Sequence, residues 1–309
     1  MNTLILSVLA TILVVIFVLW FVQRERKRNH FSKMTETMLR SPGFSLNKQL
    51  RDTSDKLLEP ILTFSFLPFL FTHLLNNANF QTRVWVSAIL LVPSIWALLK
   101  VIHLYKEIRR LKLELEAETF TGQELNYLMR TGAWVYHDIP YNDGNIAHVI
   151  VSKAGIFTVE TTAVSSTMSD KGRDTGVNDS KVIVKDQSLV FPHLTTTEPI
   201  QQAKNHANQV RNLLFRKTGI KYPVFPLIAL PGWSIVNASD HKKGFVVVNP
   251  KRGAGLERFM TTERVASDDI NKAFTIIDAV ARSVSMPTEI PNPETKKEDS
   301  LILNGKPQE

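Results

Sequence analysis

Three long apolar segments near the start of the chain constrain this protein more than any other feature of its sequence. The first runs from Leu4 to Val22 without a charged residue and ends at the polar cluster QRERKR (residues 23–28). A helix of about 20 apolar residues spans a hydrocarbon core of roughly 30 Å. A cleaved signal peptide carries positive charge before its apolar run, whereas here the charge follows it. We therefore predict a retained transmembrane helix over residues 4–22.

The second and third apolar segments cover residues 60–75 and 84–104. The second is short and contains Pro68, and a polar turn over residues 76–82 joins the two, which predicts a helical hairpin. Residues 1–104 would then form a membrane region in contact with the lipid bilayer.

A connecting helix is predicted over residues 105–120, with Ile108, Leu111 and Leu115 on one stripe. The stripe fits packing on the protein's own domain better than a coiled coil with a second protomer, since it is shorter than two heptads. A homo-oligomer formed through the membrane or connecting helices remains an alternative.

The positive charge of the chain lies mostly beside the apolar segments. Residues 1–120 hold 15 Lys and Arg against nine Asp and Glu, and residues 121–309 hold 22 against 20. Basic residues concentrate in the loops that stay in the cytoplasm. The distribution therefore predicts an N-terminus outside, a cytoplasmic soluble domain and, in a bacterial cell, a multi-pass inner-membrane protein. The net charge of +8 is thus weak evidence for a polyanion partner.

The composition excludes several classes of site. The chain has no cysteine, so disulfides, thiolate metal sites and thiol nucleophiles are excluded. The sequence has no nucleophile elbow and no phosphate-binding glycine loop. The histidines His137, His148, His193 and His206 lack metal-ligand spacing, and we expect satisfied core or surface side chains.

The segment order after the connecting helix indicates a mixed α/β domain over residues 121–285. A helix that ends at Thr131-Gly132 is followed by three strand patterns, a small hairpin, a helix over residues 199–216 and a buried strand over residues 224–230. A last helix is predicted over residues 267–283. The polar, Pro-rich tail 286–309 is predicted to be disordered.

The hairpin formed by the second and third strands predicts which side chains face each other. A tight turn at Lys153-Ala154 opposes residues whose numbers sum to about 307, so Ala147 faces Glu160 and Asn145 faces Thr162. Glu160 is a lone carboxylate at the far end of an apolar strand. By itself it either caps the strand in solvent, which is the more frequent case, or holds a cation in a cleft.

The segment Gly144–Thr162 (GNIAHVIVSKAGIFTVETT) closely resembles the nuclease-related domain family (NERD), whose pattern is close to GNIDHVVVSxxGIFVIETK. Gly122-Gln-Glu124 resembles the family's G-x-E element, and EPIQQA (residues 198–203) resembles its NPIxQA. The strand and turn over residues 223–233 also agree. The resemblance covers roughly residues 115–235.

The resemblance implies a PD-(D/E)xK nuclease fold with an αβββαβ core and metal-assisted hydrolysis of phosphodiesters. In the family, an Asp and a Glu on adjacent strands hold Mg²⁺ or Mn²⁺, and a Lys two residues after the Glu acts on the attacking water. By position, Glu160 is the strand Glu, Glu124 would complete the metal shell, and Gln202 would lie near the site.

This chain departs from the family pattern at two positions. Ala147 stands where the family has its Asp, and Thr162 stands where it has its Lys. We therefore expect weak metal binding through Glu160 and Glu124 and impaired catalysis. Other side chains offer a replacement acid or base, and the sequence favours none of them: Asp138, Asp143, Lys171, Lys181 and Lys204. It also leaves open whether the two changes are natural or introduced.

Two functions fit these observations. The first is a membrane-anchored protein from a family of metal-dependent DNA endonucleases, impaired in catalysis, that acts on or binds DNA at the cytoplasmic face, for instance in defence against foreign DNA. The second is a non-enzymatic membrane assembly or sensor protein whose domain binds partner proteins.

Overall fold

A computed structural model describes residues 38–64, 79–141, 144–164, 181–236, 244–251 and 262–283, together with Trp20, Arg24, Phe66 and Leu256. Two of the predicted segments lie outside the described residues, except for Trp20: the span 4–22 and the tail 286–309. Of the predicted span 60–75, residues 60–64 and Phe66 are described.

The longest element joins the third apolar segment to the soluble domain. The predicted span 84–104 and the predicted connecting helix form one continuous helix, α2 (Phe80–Asn126), of 47 residues that contains Pro93. At 1.5 Å per residue it is about 70 Å long. A 3₁₀ turn (Tyr127–Thr131) follows and ends at Gly132, whose φ of 82° is in the left-handed region that favours glycine. The helix end that the sequence predicts at Thr131-Gly132 is therefore confirmed.

The first half of α2 exposes large apolar side chains. Trp85 is 67% exposed and Val92 is 69% exposed. Four further apolar side chains, on other sides of the helix, are also more than half exposed: Ile89, Leu91, Leu99 and Tyr105. Among the described residues, α2 with its 3₁₀ turn is the one helix that is long and apolar enough to cross a membrane.

A second helix, α1 (Phe44–Asp55), packs against α2. A Cβ atom on Gly43 would lie 2.5 Å from Leu115 Cδ1, and Lys100 Nζ lies 2.9 Å from Glu59 Oε2. Gly43 thus contacts residue 115, whereas Glu59, later in the chain, contacts residue 100. Residue numbers rise along the α1 segment while they fall along α2, so the two run antiparallel. The sequence analysis did not predict α1. Ile108 and Leu111 of the predicted stripe are buried, and an oligomer through these helices remains a prediction.

After α2, the described residues form two mixed sheets and two further helices. The first sheet has the order β1-β2-β3-β7-β9, with β1 to β3 antiparallel and β7 and β9 parallel to β3. Its strands are β1 (Trp134–Tyr141), β2 (Gly144–Ser152), β3 (Gly155–Thr161), β7 (Val224–Ala229) and β9 (Val246–Val248). The second sheet has the order β6-β5-β4-β8. It contains β4 (Lys181–Lys185), β5 (Ser188–Val190), β6 (Thr195–Thr196) and β8 (Ser234–Val236). The helices are α3 (Glu198–Thr218) and α4 (Ser267–Ala281). The predicted mixed α/β class is confirmed.

Helices cover both faces of the first sheet. On one face Val149 and Ile156 pack with Leu214 of α3 and Ile277 of α4. On the other face, Ile150 and other strand residues pack with residues from the end of α2 and its 3₁₀ turn. A strand that is buried on both faces is apolar at successive positions rather than at alternate ones, which explains the unbroken apolar run in β2.

The predicted hairpin register is confirmed where β2 and β3 pair. Ser152 opposes Gly155 and His148 opposes Val159, so the numbers sum to 307. The pairing ends there, one step before Ala147 and Glu160, whose facing arrangement stays a prediction.

The pairing of β1 with β2 is interrupted at one position. His137 pairs with His148 and Ile139 pairs with Ile146, and Asp138 and Ala147 lie unpaired between them. Asp138 has a φ of 50°, which is uncommon for a residue other than glycine. Tyr136 and Ile139 consequently share one apolar cluster, although they are three residues apart. His137 and Asp138 between them turn toward α2 and α1.

Candidate functional site

Glu160, the carboxylate that the resemblance assigns to the site, is paired with a histidine of α3. Its Oε2 atom lies 2.9 Å from His206 Nδ1, and the Glu160 side chain is 16% exposed. The two atoms are close enough for an ion pair but are not aligned as a hydrogen bond. The contact is attractive when the His206 ring is protonated.

The two positions that depart from the family pattern lie in β2 and directly after β3. Ala147 is half-buried in β2 beside the interrupted pair, and its methyl side chain offers no ligand. Thr162 is half-buried directly after β3, and its backbone N–H donates to the carbonyl of Ala229, 3.0 Å away. Neither side chain replaces the carboxylate or the ammonium group of the family.

Asp138 lies on β1 at the interruption of the β1–β2 pairing, where Ala147 is the unpaired residue of β2. The Asp138 side chain is 1% exposed and its Oδ2 atom lies 3.3 Å from Arg40 Nη1. The hydroxyl of Ser45 donates to its Oδ1 atom. The charge of this carboxylate is therefore balanced by a residue that precedes α1.

Glu118 is a second buried acid next to Asp138. It lies in α2, is 8% exposed, and its Oε1 atom accepts a hydrogen bond from the Gly43 N–H at 3.3 Å. Burial and, after it, the negative charge of Asp138 raise the pKa of Glu118 to about 7, with a smaller contribution from Glu160 and a lowering contribution from the Gly43 N–H. Glu118 of α2 therefore interacts electrostatically with the acids of the sheet.

A line of neutral side chains connects α2 with three strands. The Nδ1 atoms of His137 and His148 are 2.9 Å apart, His137 Nε2 lies 3.0 Å from Asn126 Oδ1, and Thr161 Oγ1 lies 3.3 Å from His148 Nε2. Burial lowers the pKa of His137 to about 4 and that of His148 well below its usual value, so both rings are neutral at pH 7.

One set of tautomers satisfies this line. Asn126 Oδ1 can only accept, so His137 carries its proton on Nε2 and accepts at Nδ1. His148 then donates from Nδ1, and its Nε2 accepts from the hydroxyl of Thr161. These hydrogen bonds join the strands to α2. They occupy both ring nitrogens of His137 and of His148, so none of the four is available as a metal ligand.

The remaining predicted site residues lie at several places. Glu124 is half-buried in the last turn of α2. Gln202 is exposed on α3, and its Nε2 donates to Glu198 Oε1 at 3.3 Å. His206, one turn later on the same helix, is the residue that contacts Glu160.

The proposed replacement bases are not brought to Glu160 by any contact among the described residues. Lys204 donates to Gln187 and lies 5.2 Å from the ring centroid of Phe245. Lys181 is the exposed first residue of β4. Asp143 and Lys171 lie outside the described residues.

The comparison with family models places this site in a named domain. Residues 113–231 match the NERD family model, described as the nuclease-related domain. The match covers less than half of the chain and includes Glu118, Asp138, Glu160 and His206. No curated protein and no solved structure was found to match the chain.

The side chains of the NERD region do not fit the divalent cation of the family. In the part of the chain that the structure describes, no group of three or more His, Asp or Glu side chains is arranged to hold a metal ion. Asp138 is bound to Arg40 and Ser45, and Glu160 is bound to His206. Asp138 is thus paired with a cation of the same chain, and Glu160 lies against a histidine ring of the same chain.

Sequence reasoning missed four residues of this site: Arg40, Ser45, Glu118 and His206. Arg40 is 98 positions from Asp138, so no local pattern predicts that contact. His206 carried a signal, because it lies four residues after Gln202 and therefore on the same face of α3.

Proposed function

We propose that this protein is a membrane-tethered nuclease-related protein that binds DNA at the cytoplasmic face of the membrane and does not hydrolyse it through the family's residues. The observation that carries the proposal is the pairing of Glu160 with His206 at a site where Ala147 and Thr162 replace the family's Asp and Lys. A carboxylate with these neighbours is a poor ligand for a hard cation, which binds best to several oxygen ligands.

The order of the elements supports the PD-(D/E)xK nuclease fold that the resemblance implies. A helix (α2), three antiparallel strands (β1 to β3), a second helix (α3) and a parallel strand (β7) follow each other in the expected αβββαβ sequence. The hairpin β4–β5 and the short strand β6 are inserted before α3.

The exposed apolar half of α2 supports the membrane tether, because such a surface is costly in water. Lys100, which pairs with Glu59, also lies 4.6 Å from the ring centroid of Trp96. Aromatic and basic side chains are frequent at the boundary between lipid and water. The two further spans and the inward orientation rest on the apolar pattern and on the distribution of basic residues.

Restoring the family's Asp and Lys at positions 147 and 162 tests the catalytic part of the proposal. The full chain and the double variant Ala147→Asp, Thr162→Lys are purified in the same detergent and incubated with DNA and Mg²⁺ or Mn²⁺. We expect cleavage by the double variant and none by the parent. If the double variant melts like the parent and does not cleave, the site is not a nuclease site that lacks only these two groups.

Salt-titrated binding tests the DNA part. Contacts with phosphates release counterions, so we expect an affinity that falls steeply as salt is raised. Absence of binding to single- or double-stranded DNA at low salt would contradict it.

The second function, an assembly or sensor protein that binds protein partners, is favoured by one observation. Glu118 and Asp138 are covered by the segment before α1, as expected of a domain whose former site has become part of its core. A parent protein that fails to bind DNA and gains no cleavage on reversion would support this function instead.

A further inference from the structure

The segment Arg40–Ser45 connects the helix pair α1–α2 with the buried acids of the nuclease-related region. Arg40 Nη1 donates to the carbonyl oxygen and to Oδ2 of Asp138, both at 3.3 Å. Its Nη2 atom donates to the carbonyl of Ser283, 3.5 Å away, just after the end of α4. One guanidinium group therefore joins the start of α1, strand β1 and the end of α4.

The rest of the segment covers Glu118 and the adjoining turn of α2. The Gly43 N–H donates to Glu118 Oε1, and the Ser45 hydroxyl donates to Asp138 Oδ1. Pro42 packs so closely on α2 that a Cβ atom on Gly122 would lie 2.4 Å from its Cγ atom. These contacts leave Glu118 and Asp138 almost without exposed surface.

We propose that Arg40–Ser45 is a clasp that closes over Glu118 and Asp138 and couples α1 to the nuclease-related region. Its release exposes both carboxylates and frees the start of α1 from β1 and from the end of α4. The clasp is a property of the contacts themselves and does not depend on whether the protein binds DNA.

Charge balance makes the clasp sensitive to the protonation of Glu118. The negative groups that act on Glu118 are Asp138 on β1, Glu160 on β3 and Glu114 on its own helix. Two groups of the clasp oppose these charges. The Gly43 N–H donates to Glu118, and Arg40 forms an ion pair with Asp138. Because burial and these acids raise the pKa of Glu118 to about 7, a rise in pH creates a second buried negative charge and favours the open clasp. If the clasp were not coupled to Glu118, its opening would not change with pH in the same range.

The absence of cysteine from the chain allows a single thiol to report on the clasp. Thr119 lies under it, with Oγ1 3.5 Å from the position of a Cβ atom on Gly43, and Thr119→Cys is nearly isosteric. The exposed position Glu116→Cys supplies the intrinsic rate of thiol labelling at each pH. Both probes are placed in the full chain in detergent.

We expect Arg40→Met to speed the labelling of Thr119→Cys by about tenfold or more, the order expected when hydrogen bonds to a charged group are lost. We also expect the rate of Thr119→Cys relative to Glu116→Cys to rise from pH 6 to pH 8. Arg51→Met, on an exposed position of α1, is the matched control and should leave the rate unchanged.

Circular dichroism and thermal melting separate clasp opening from unfolding. If Arg40→Met fails to fold, Ser45→Ala removes the second contact to Asp138 and carries the same test. Labelling of Thr119→Cys at the parent rate in folded Arg40→Met or Ser45→Ala would overturn the clasp. A relative rate that does not change with pH would overturn its coupling to Glu118.

Discussion

Buried ionisable side chains, considered one residue at a time, determine how the stability of the domain depends on pH. The pKa of Glu118 is raised from 4.5 to about 7 in the folded state. The folded state therefore binds this proton more tightly than the unfolded chain does. The resulting stabilisation is fully present below about pH 4.5 and is lost as the pH rises through 7.

Glu118→Gln isolates this effect, because the amide keeps an oxygen that can accept from the Gly43 N–H. At pH 8 we expect the variant to have a larger free energy of unfolding than the parent, by about 3 kcal/mol. Near pH 4.5 the two should be equal. Denaturant unfolding at several pH values measures the difference, with the exposed Glu116→Gln as control. A difference that is constant from pH 4.5 to 8 would contradict the assignment.

His137 has the opposite dependence. Burial lowers its pKa from 6.5 to about 4, so its contribution to stability is present above pH 6.5 and is lost as the pH falls through 4. His137→Leu should flatten this acid limb. At pH 7 it should cost about 1–3 kcal/mol, because the buried His148 N–H loses its acceptor. The same unfolding series tests this, with the exposed His193→Leu as control, and an unchanged acid limb would contradict it.

Some of these residue roles could be predicted from the sequence and others could not. The histidines were expected to be satisfied rather than metal ligands because their spacing fits no metal site, and His137 and His148 are hydrogen bonded in the interior. Glu118 could not be told from the other acids of its helix, since the group that it contacts on the clasp is 75 positions away.

At the scale of elements, close contact between the segment before α1 and helix α2 explains why residue 122 is glycine. The resemblance marks Gly122 as part of a motif without giving its physical reason. The structure gives that reason, because Pro42 Cγ and Cβ lie 2.4 and 2.5 Å from where a Cβ atom on Gly122 would be. A proline ring cannot move aside as the end of a flexible side chain can.

Gly122→Ala tests this packing. Alanine favours a helix by about 1 kcal/mol over glycine, but the forced separation of the helices should outweigh this gain. We expect a net loss of about 1–3 kcal/mol in the free energy of unfolding. Gly144→Ala, where nothing lies within 4 Å of the added atom, should be close to neutral. Equal effects at the two positions would contradict the packing argument.

Local pattern predicted some elements better than others for a physical reason. The hairpin of β2 and β3 has a tight turn and apolar strands, so even its register followed from the sequence. The strands β6 and β8 have only two and three residues and depend on their partners. Helix α1 is largely polar, and the spacing of Leu46, Leu50, Thr53 and Leu57 was the signal that could have revealed it.

At the scale of the whole molecule, the chain combines an exposed apolar helical segment with a domain whose buried acids contact other groups of the same chain. The continuous helix α2 means that the exposed apolar segment and the first helix of the nuclease-related region are one element, and Glu118 lies on it. The sequence predicted adjoining helices over residues 84–104 and 105–120, and the structure shows both as parts of one helix.

Single cysteines in this cysteine-free chain test the proposed orientation. Gln81→Cys precedes the apolar half of α2 and Glu116→Cys follows it, and both positions are exposed. In intact cells, a membrane-impermeant thiol reagent should label Gln81→Cys, because the turn before α2 is proposed to face outside. Glu116→Cys should be labelled only after the cells are opened. The reverse pattern would contradict the inward domain, and loss of the protein from washed membranes would contradict the tether.

Metal-dependent DNA cleavage by the full chain tests the central claim most directly. Parent protein and Glu160→Ala are compared in the same detergent, with Mg²⁺ and with Mn²⁺, on single- and double-stranded DNA. Because Ala147 and Thr162 leave the site without its Asp and Lys, we predict that the parent shows no cleavage above that of Glu160→Ala. Robust cleavage by the parent that Glu160→Ala abolishes would contradict the claim that hydrolysis through this site has been lost.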